Sequence, residues 1–478
     1  MDLKQEKWTM GPNVHRVGIS LGLVILLFGF LQCEFDDLNI DPTRQNDASV
    51  REILPTAMVQ TLRNTLSIGG RVAGTLVQHF EGTEAQPLSY NNYLVDEQTL
   101  SDFWETGLYA GAMKDCRIII DKAIANDQPH YEGIAKVLMA FNLGIATSFW
   151  GDVPFSQALL GTESLKSSYD TQEEVYGSIL QLLDEAIIAF QKPASIGGPT
   201  NDDLIFGGIP DRWIKTCHAL KARYLLHLSA KDPSNLAQVL EEVSQAFVTA
   251  TEQPDLYFGD SDNESNPLAL FGKERPQQIE IGVALKNLME NTNDPRRSKY
   301  WVEVQDKDEV YLADNTDLIR AQRNSPVPLI SLSELLFIQA EALVRTDASN
   351  SAQIFTRGII ASMEDCGIIP ALYNPYLAFN GGLSSSLSLD EKIGKVINQK
   401  FIASYGINPH EAWIDQRRTG YPRLEVPSNA NASLNPSLII PKRVLYPISE
   451  RTTNYDNYQE AIDRQGGHLM DVTPWLFK

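Results

Sequence analysis

Two carboxylates four residues apart, Glu411 and Asp415 in EAWIDQRRTGYP, form the pairing in this 478-residue sequence that most invites a catalytic reading. On a helix that spacing puts both on one face. A glycosidase acid and base, however, stand roughly 5–10 Å apart across a cleft, and here Arg417 and Arg418 lie alongside. Neighbouring guanidinium groups lower a carboxylate pKa, the wrong direction for a general acid. The motif therefore predicts an ion-paired structural corner.

Other chemistries find less support. DSDNES (260–265) alternates Asp260, Asp262 and Glu264 in the manner of a calcium loop, but Ser265 stands where an EF-hand needs glycine and Phe271 where it needs a closing glutamate. His79, His130, His218, His227, His410 and His468 are scattered without HExxH spacing. No GxSxG elbow, P-loop or GxGxxG occurs. No catalytic residue, metal or cofactor is expected. Cys116 and Cys217 fall inside helical patterns, where a free cysteine behaves as a small core hydrophobe.

Ligand capture is the chemistry better provided for. Sugars need flat aromatic faces for the apolar side of a pyranose and planar amides or carboxylates for its hydroxyls. YNNY supplies Tyr90 and Tyr93, KYW supplies Trp301, and YNPYLAFNGG supplies Tyr373, Asn374, Tyr376 and Asn380. These seven residues are the candidate ligand contacts, chosen by composition.

The elements that must carry them are mostly helical. GIAKVLMAFNLGIATSFW (133–150), TQEEVYGSILQLLDEAIIAF (171–190) and RWIKTCHALKARYLLHLSA (212–230) repeat apolar residues every three or four positions. Thr171 with Glu174 and Ser331 with Glu334 have the spacing of capping boxes, and Gly406 is a helix stop. No fixed repeat period is visible, so an irregular set of helix pairs is expected rather than a regular solenoid. Long polar loops are predicted at 191–210, 251–278, 370–388 and 420–440, and short strands at 327–330 and 443–448.

The formal net charge is −21; residues 1–32 carry Lys4, Lys7 and Arg16 against Asp2 and Glu6, a net of +1, leaving −22 from Cys33 onward. So acidic a body repels phosphate backbones and anionic lipid, which argues against nucleic acid and suits neutral ligands. The apolar run from Ile19 to Cys33 is the length of a signal-peptide core and short of a membrane span. A cysteine closing such a run is the acceptor pattern of bacterial lipoproteins, and acidic EFDD (34–37) follows it. Residues 1–32 are thus read as a lipoprotein signal peptide, Cys33 as the lipidation site, and 33–478 as one domain held to the membrane through lipid only.

Taken together, FDDLNIDPT (35–43), FWETGLYAGAMKDCRIIIDKA (103–123), ATSFWGDVPFSQAL (146–159), WIKTCHALKARYLLHLS (213–229), SELLFIQAEAL (333–343), EAWIDQRRTGYPRL (411–424) and IPKRVLYPISERTTN (440–454) resemble the SusD/RagB family of Bacteroidetes surface lipoproteins. The chain ends TPWLFK with the single Trp475, where the family often has a paired-tryptophan segment. The resemblance implies a mainly all-α protein whose tetratricopeptide-like helix pairs support a loop-rich face. It further implies a non-enzymatic, surface-exposed outer-membrane lipoprotein that binds oligosaccharides and delivers them to a SusC-like TonB-dependent transporter. The alternatives are a peptide-binding member of the family and an all-helical surface glycoside hydrolase.

Overall fold

The computed structural model describes residues 48–161, 164–311, 315 and 317–478. Cys33, the leader and the EFDD segment lie outside them.

Helices dominate because the apolar periodicity is helical almost everywhere. The Pro129–Trp150 helix is the axis of the core: proline fills its first turn, where no backbone N–H is missed, and all but Glu132 of its 22 residues are buried. Its apolar stretch is long enough to cross a membrane, yet all of it is enclosed by protein. A helix apolar on all sides must be wrapped by neighbours. Lys114–Ala125, Gln172–Gln191 and Pro210–Leu228 do so as consecutive helix pairs, and Leu332–Arg345 packs with Ser351–Asp365 and Leu389–Ser404 in the same way. The result is the mainly α, paired-helix architecture that the periodicity predicts. Residues Val50–Lys478 form one compact unit.

Local signals act where they were read. Thr171 and Glu174 make a complete capping box, and Ser331 Oγ accepts the Glu334 amide. Trp150 ends the core helix at Gly151, whose φ of +82° suits glycine. The following Asp152 accepts the Gln172 amide at 2.9 Å and the Arg464 Nε at 2.7 Å, while Trp150 Nε1 donates to Leu445 O and Tyr446 Oη to Asp152 O. WGDVP is thus the knot that ties the C-terminal strap to the core.

Three predicted loops contain more order than composition suggested. In 191–210, Asp203 accepts the amides of Ile205, Phe206 and Gly208 and the Trp213 indole, so one carboxylate organises the turn. Segment 251–278 holds the Pro267–Glu274 helix, capped by Asn266, and segment 370–388 begins with the Pro370–Asn380 helix. Residues 192–209 and 420–440 have neither helix nor strand. Val327–Pro328 is a strand paired with Asp255–Leu256. Residues 443–448 are not: Arg443 and Val444 are held by single hydrogen bonds to Met470 O and Phe149 O, so an extended strap replaces the expected strand.

A small antiparallel sheet joins distant parts of the chain. Phe80–Gly82 pairs with Ile279–Ile281, which pairs with Lys307–Glu309, which pairs with Val302–Val304. Its register sets Glu81 opposite Glu280, and Glu280 opposite Glu309. Like charges placed so destabilise a sheet, so this acidic row is held by its surroundings.

Candidate functional site

The seven ligand candidates do not form one site. Tyr90, Tyr93, Trp301, Tyr373 and Tyr376 are buried, Trp301 at 3% exposure, with their ring faces spent on core packing. YNNY and YNPYLAFNGG lie largely on helices, not on open loops, and helical spacing turns Tyr373 and Tyr376 inward together. Tyr376 Oη accepts the Gln399 amide, and Asn380 Nδ2 donates to Tyr376 O. The exposed aromatic of that helix is Phe379, at 88%, with Asn374 also in solvent.

Tyr93 nevertheless leads to a site. It lines a depression of about 690 Å³ whose walls are the Phe80–Gly82 strand, the end of the Ala85–Asn91 helix and loop 425–429. Gln78, Val283 and Glu425 are shared with an adjoining hollow of about 320 Å³ walled by the Val283–Asn291 helix, Asn398, Tyr421 and Arg423. The two are ends of one groove.

Five asparagines stand around it: Asn91 and Asn429 at one end, Asn287, Asn291 and Asn398 at the other. None of their side chains has a hydrogen-bond partner among the described residues, and Asn398 Oδ1 is buried as well as unpartnered. Tyr93 Oη is likewise buried and unpartnered. Buried polar atoms are nearly always satisfied, so orphans that converge on a concave surface mark where a ligand's polar groups belong. Asn287 and Asn291 are four residues apart on one helix, so they present paired amides along one face.

The groove's backbone is strained as well. Of the eleven non-glycine residues with positive φ among the described residues, two line it: Gln78 at 59° and Tyr93 at 57°. Such conformations persist where surroundings over-determine them, and they concentrate at binding sites. Gln78 Nε2 donates to Glu425 O and Asn431 N to Asn92 O, which pins loop 425–431 to the opposite wall. Glu81 brings the acidic row to the rim. Burial, then Glu280 and Asp308, push its carboxyl above the usual range. Tyr421 supplies the aromatic component; its hydroxyl donates to Asp390, and the exposed Arg423 guanidinium sits 4.4 Å over the ring. The site is rich in planar amides and poor in open aromatic faces.

Sequence reasoning reached Tyr93 but missed the amides. The spacing of Asn287 and Asn291 was the one readable signal; Asn91, Asn398 and Asn429 are united only by tertiary structure.

The carboxylate pair is no cleft. Glu411 accepts from His227 Nε2 at 2.9 Å and lies 3.9 Å from Arg223, while Asp415 pairs with Lys400 at 2.9 Å and Arg418 at 2.8 Å. Burial opposes the Glu411 charge, yet His227, Arg223 and Lys400 hold its carboxyl well below the ordinary range. The expected ion-paired corner exists, with one correction: Arg417 takes no part. It donates to Ser148 O and Lys442 O and stacks on Trp413 at 3.8 Å. In DSDNES, Asp262 is occupied by Lys273 at 2.5 Å and Arg323 at 3.3 Å, and no cluster able to hold a metal occurs among the described residues. Cys116 and Cys217 are buried and free, as is Cys366.

Comparison with known proteins follows this geometry. No curated protein matches the sequence. Solved structures match nearly its whole length. A SusD/RagB family protein from Bacteroides thetaiotaomicron superposes with a TM-score of 0.71 at 22% identity, covering 90% of this chain and 99% of that one. A SusD homologue from Bacteroides uniformis gives 0.74 at 22%, covering 90% and 100%. A chitin-binding SusD homologue from Flavobacterium johnsoniae gives 0.73 at 18%, covering 89% and 98%. At these identities the likeness establishes the fold. A family profile described as starch-binding and associating with the outer membrane spans residues 42–447. The chain belongs to the SusD-like family.

Proposed function

We propose that this protein captures oligosaccharides in the amide-lined groove and releases them unaltered to a SusC-like TonB-dependent transporter of the outer membrane. The observation that carries this reading is the set of five unpartnered asparagines around one concave surface. An amide offers two donors and an acceptor in one plane, which matches vicinal hydroxyls. The chain's net charge of −21 favours a neutral cargo over an anionic one. Glu411 and Asp415, the pair that first suggested a glycosidase, line neither end of the groove and are spent on His227 and Lys400, which supports binding without turnover.

Asn287→Ala with Asn291→Ala is the informative variant, because both side chains are exposed and bond to nothing that folding needs. Two lost hydrogen bonds at about 0.5–1.5 kcal/mol each predict roughly five- to a hundredfold weaker binding in calorimetric titration against an oligosaccharide panel. Equal affinity in variant and wild type would remove the groove from the account. Heat from peptides and none from glycans would instead change the cargo.

Cys33, outside the described residues, is proposed to carry the lipid that holds the protein at the cell surface beside its transporter. Two or three acyl chains at about 0.8 kcal/mol per buried CH₂ make such an anchor durable. Cys33→Ala is expected to move the protein from the membrane to the soluble fraction. In mild detergent the wild type should co-extract with a large barrel protein. Retention of the variant on membranes contradicts the anchor; a lone wild-type monomer beside unbound barrel contradicts the partnership.

A further inference from the structure

A second cavity, sharing no residue with the groove, is built by an unusual helix. Residues Phe103–Met113 are wound as a π-helix, with Gly111 leaving helical geometry near its end. An α-helix brings residues three and four apart together, whereas π winding, with bonds spanning five residues, aligns i with i+5. Trp104 and Tyr109 are such a pair, and their ring centroids are 4.7 Å apart. Glu105 and Ala110 are another. All four face one cavity of about 410 Å³, closed opposite by Leu159 and Glu450. The winding thus creates a wall of two aromatic rings and a carboxylate.

The charges around this cavity are one-sided. Among the described residues no lysine or arginine lines it, the exposed Lys166 lying between the lining residues Leu165 and Ser167. Glu450 Oε2 accepts only neutral donors, Tyr169 Oη at 2.7 Å and Asn454 Nδ2 at 3.2 Å. Glu105 has no ion pair among the described residues. The cations on the flanking helices are engaged elsewhere, Arg451 with Glu97 and Arg464 with Asp152. Burial first, then Glu450, push the Tyr109 hydroxyl well above its ordinary range. Ser449 Oγ, in the wall, is buried without a partner.

We propose that this cavity is a second ligand site that takes a small organic ammonium with an apolar body. The ammonium would sit between Glu105 and Glu450, against the ring of Tyr109, which the buried Trp104 backs, with its apolar part toward Leu159. A cation over an aromatic face gains about 0.5–2 kcal/mol depending on desolvation, and a carboxylate adds a charge-assisted bond.

The test compares benzylammonium with its neutral isostere benzyl alcohol by ligand-detected NMR titration of the full chain. Benzylammonium is expected to bind about tenfold or more tightly than the alcohol, as about 1.4 kcal/mol of charge-dependent contact requires. Glu105→Gln with Glu450→Gln, which keeps an acceptor for Tyr169, should abolish that preference while leaving oligosaccharide affinity unchanged. If this double variant does not fold, Ala110→Leu, at an exposed rim position, is expected to block entry while leaving both carboxylates in the chain. Equal affinity for the two probes, no binding of the ammonium, or a preference that survives these substitutions would overturn the proposal.

Discussion

Arg418→Met is expected to lower unfolding free energy by about 3–5 kcal/mol, the cost of breaking a buried ion pair from one side. Arg418 is 1% exposed and holds both oxygens of Glu341, at 2.5 and 2.7 Å, while also donating to Asp415 at 2.8 Å. It thereby clamps the Pro409–Thr419 helix to the Leu332–Arg345 helix. Burial works against the Glu341 carboxylate, but Arg418 and then Arg345 overcome it and hold its pKa down to about 2. Without Arg418 two buried carboxylates share fewer cations, since Arg345 is the partly exposed partner that remains to Glu341. Replacing Glu341 by leucine in the same chain should recover part of the loss, because an apolar pair of similar volume costs no uncompensated charge. Urea unfolding of the two variants decides the matter. A wild-type midpoint for Arg418→Met would mean that the clamp carries no stability.

The second large effect is acid sensitivity. His79 and His410 are enclosed in the core, and burial first of all lowers both pKa values to about 3. His79 Nε2 lies 2.8 Å from Phe401 O, which can only accept, so that nitrogen carries the proton of a neutral ring. Around His410, Glu411 opposes the shift, and Arg223 and Arg417 reinforce it. The unfolded chain protonates these rings near pH 6.5, the folded chain only near pH 3. Their depressed values therefore give stability that is complete above pH 6.5 and is lost as pH falls toward 3. Glu341 adds a further loss between pH 4.5 and about 2. Each histidine should contribute about 1.4 kcal/mol per pH unit near pH 5. Burial lowers His468 to about 4, so it adds to the same loss; urea midpoints measured from pH 7 to pH 4 should fall steadily, and His410→Gln should remove about a third of the histidine part of that slope. A stability flat across this range would contradict the buried neutral state.

What was legible in the sequence follows physical locality. Apolar spacing along 133–150 and 171–190 and the Thr171–Glu174 box are written within a few neighbouring residues, and each acts in the fold as its local chemistry predicts. The ligand candidates failed for a reason of the same kind. Composition reveals that Tyr373 and Tyr376 sit among amides, but only the winding of Pro370–Asn380 decides that both turn inward while Phe379 turns out. The groove joins residues near 80, 290, 398 and 425, which no window along the chain can unite. The π winding at Phe103–Met113 is equally silent, since its tryptophan and tyrosine five apart read as an ordinary helix. Turns and caps set by neighbouring residues were therefore readable; the chemistry of the surface depends on tertiary neighbours.

Oligosaccharide is expected in the groove between the Val283–Asn291 helix and loop 425–429. A crystal structure with the tightest-binding oligosaccharide of the panel decides this. It should show an intact sugar chain hydrogen-bonded to Asn287 and Asn291, with Tyr421 against a ring and Tyr93 Oη satisfied. Sugar seated elsewhere on the molecule with the groove empty, or a cleaved product in its place, would contradict it.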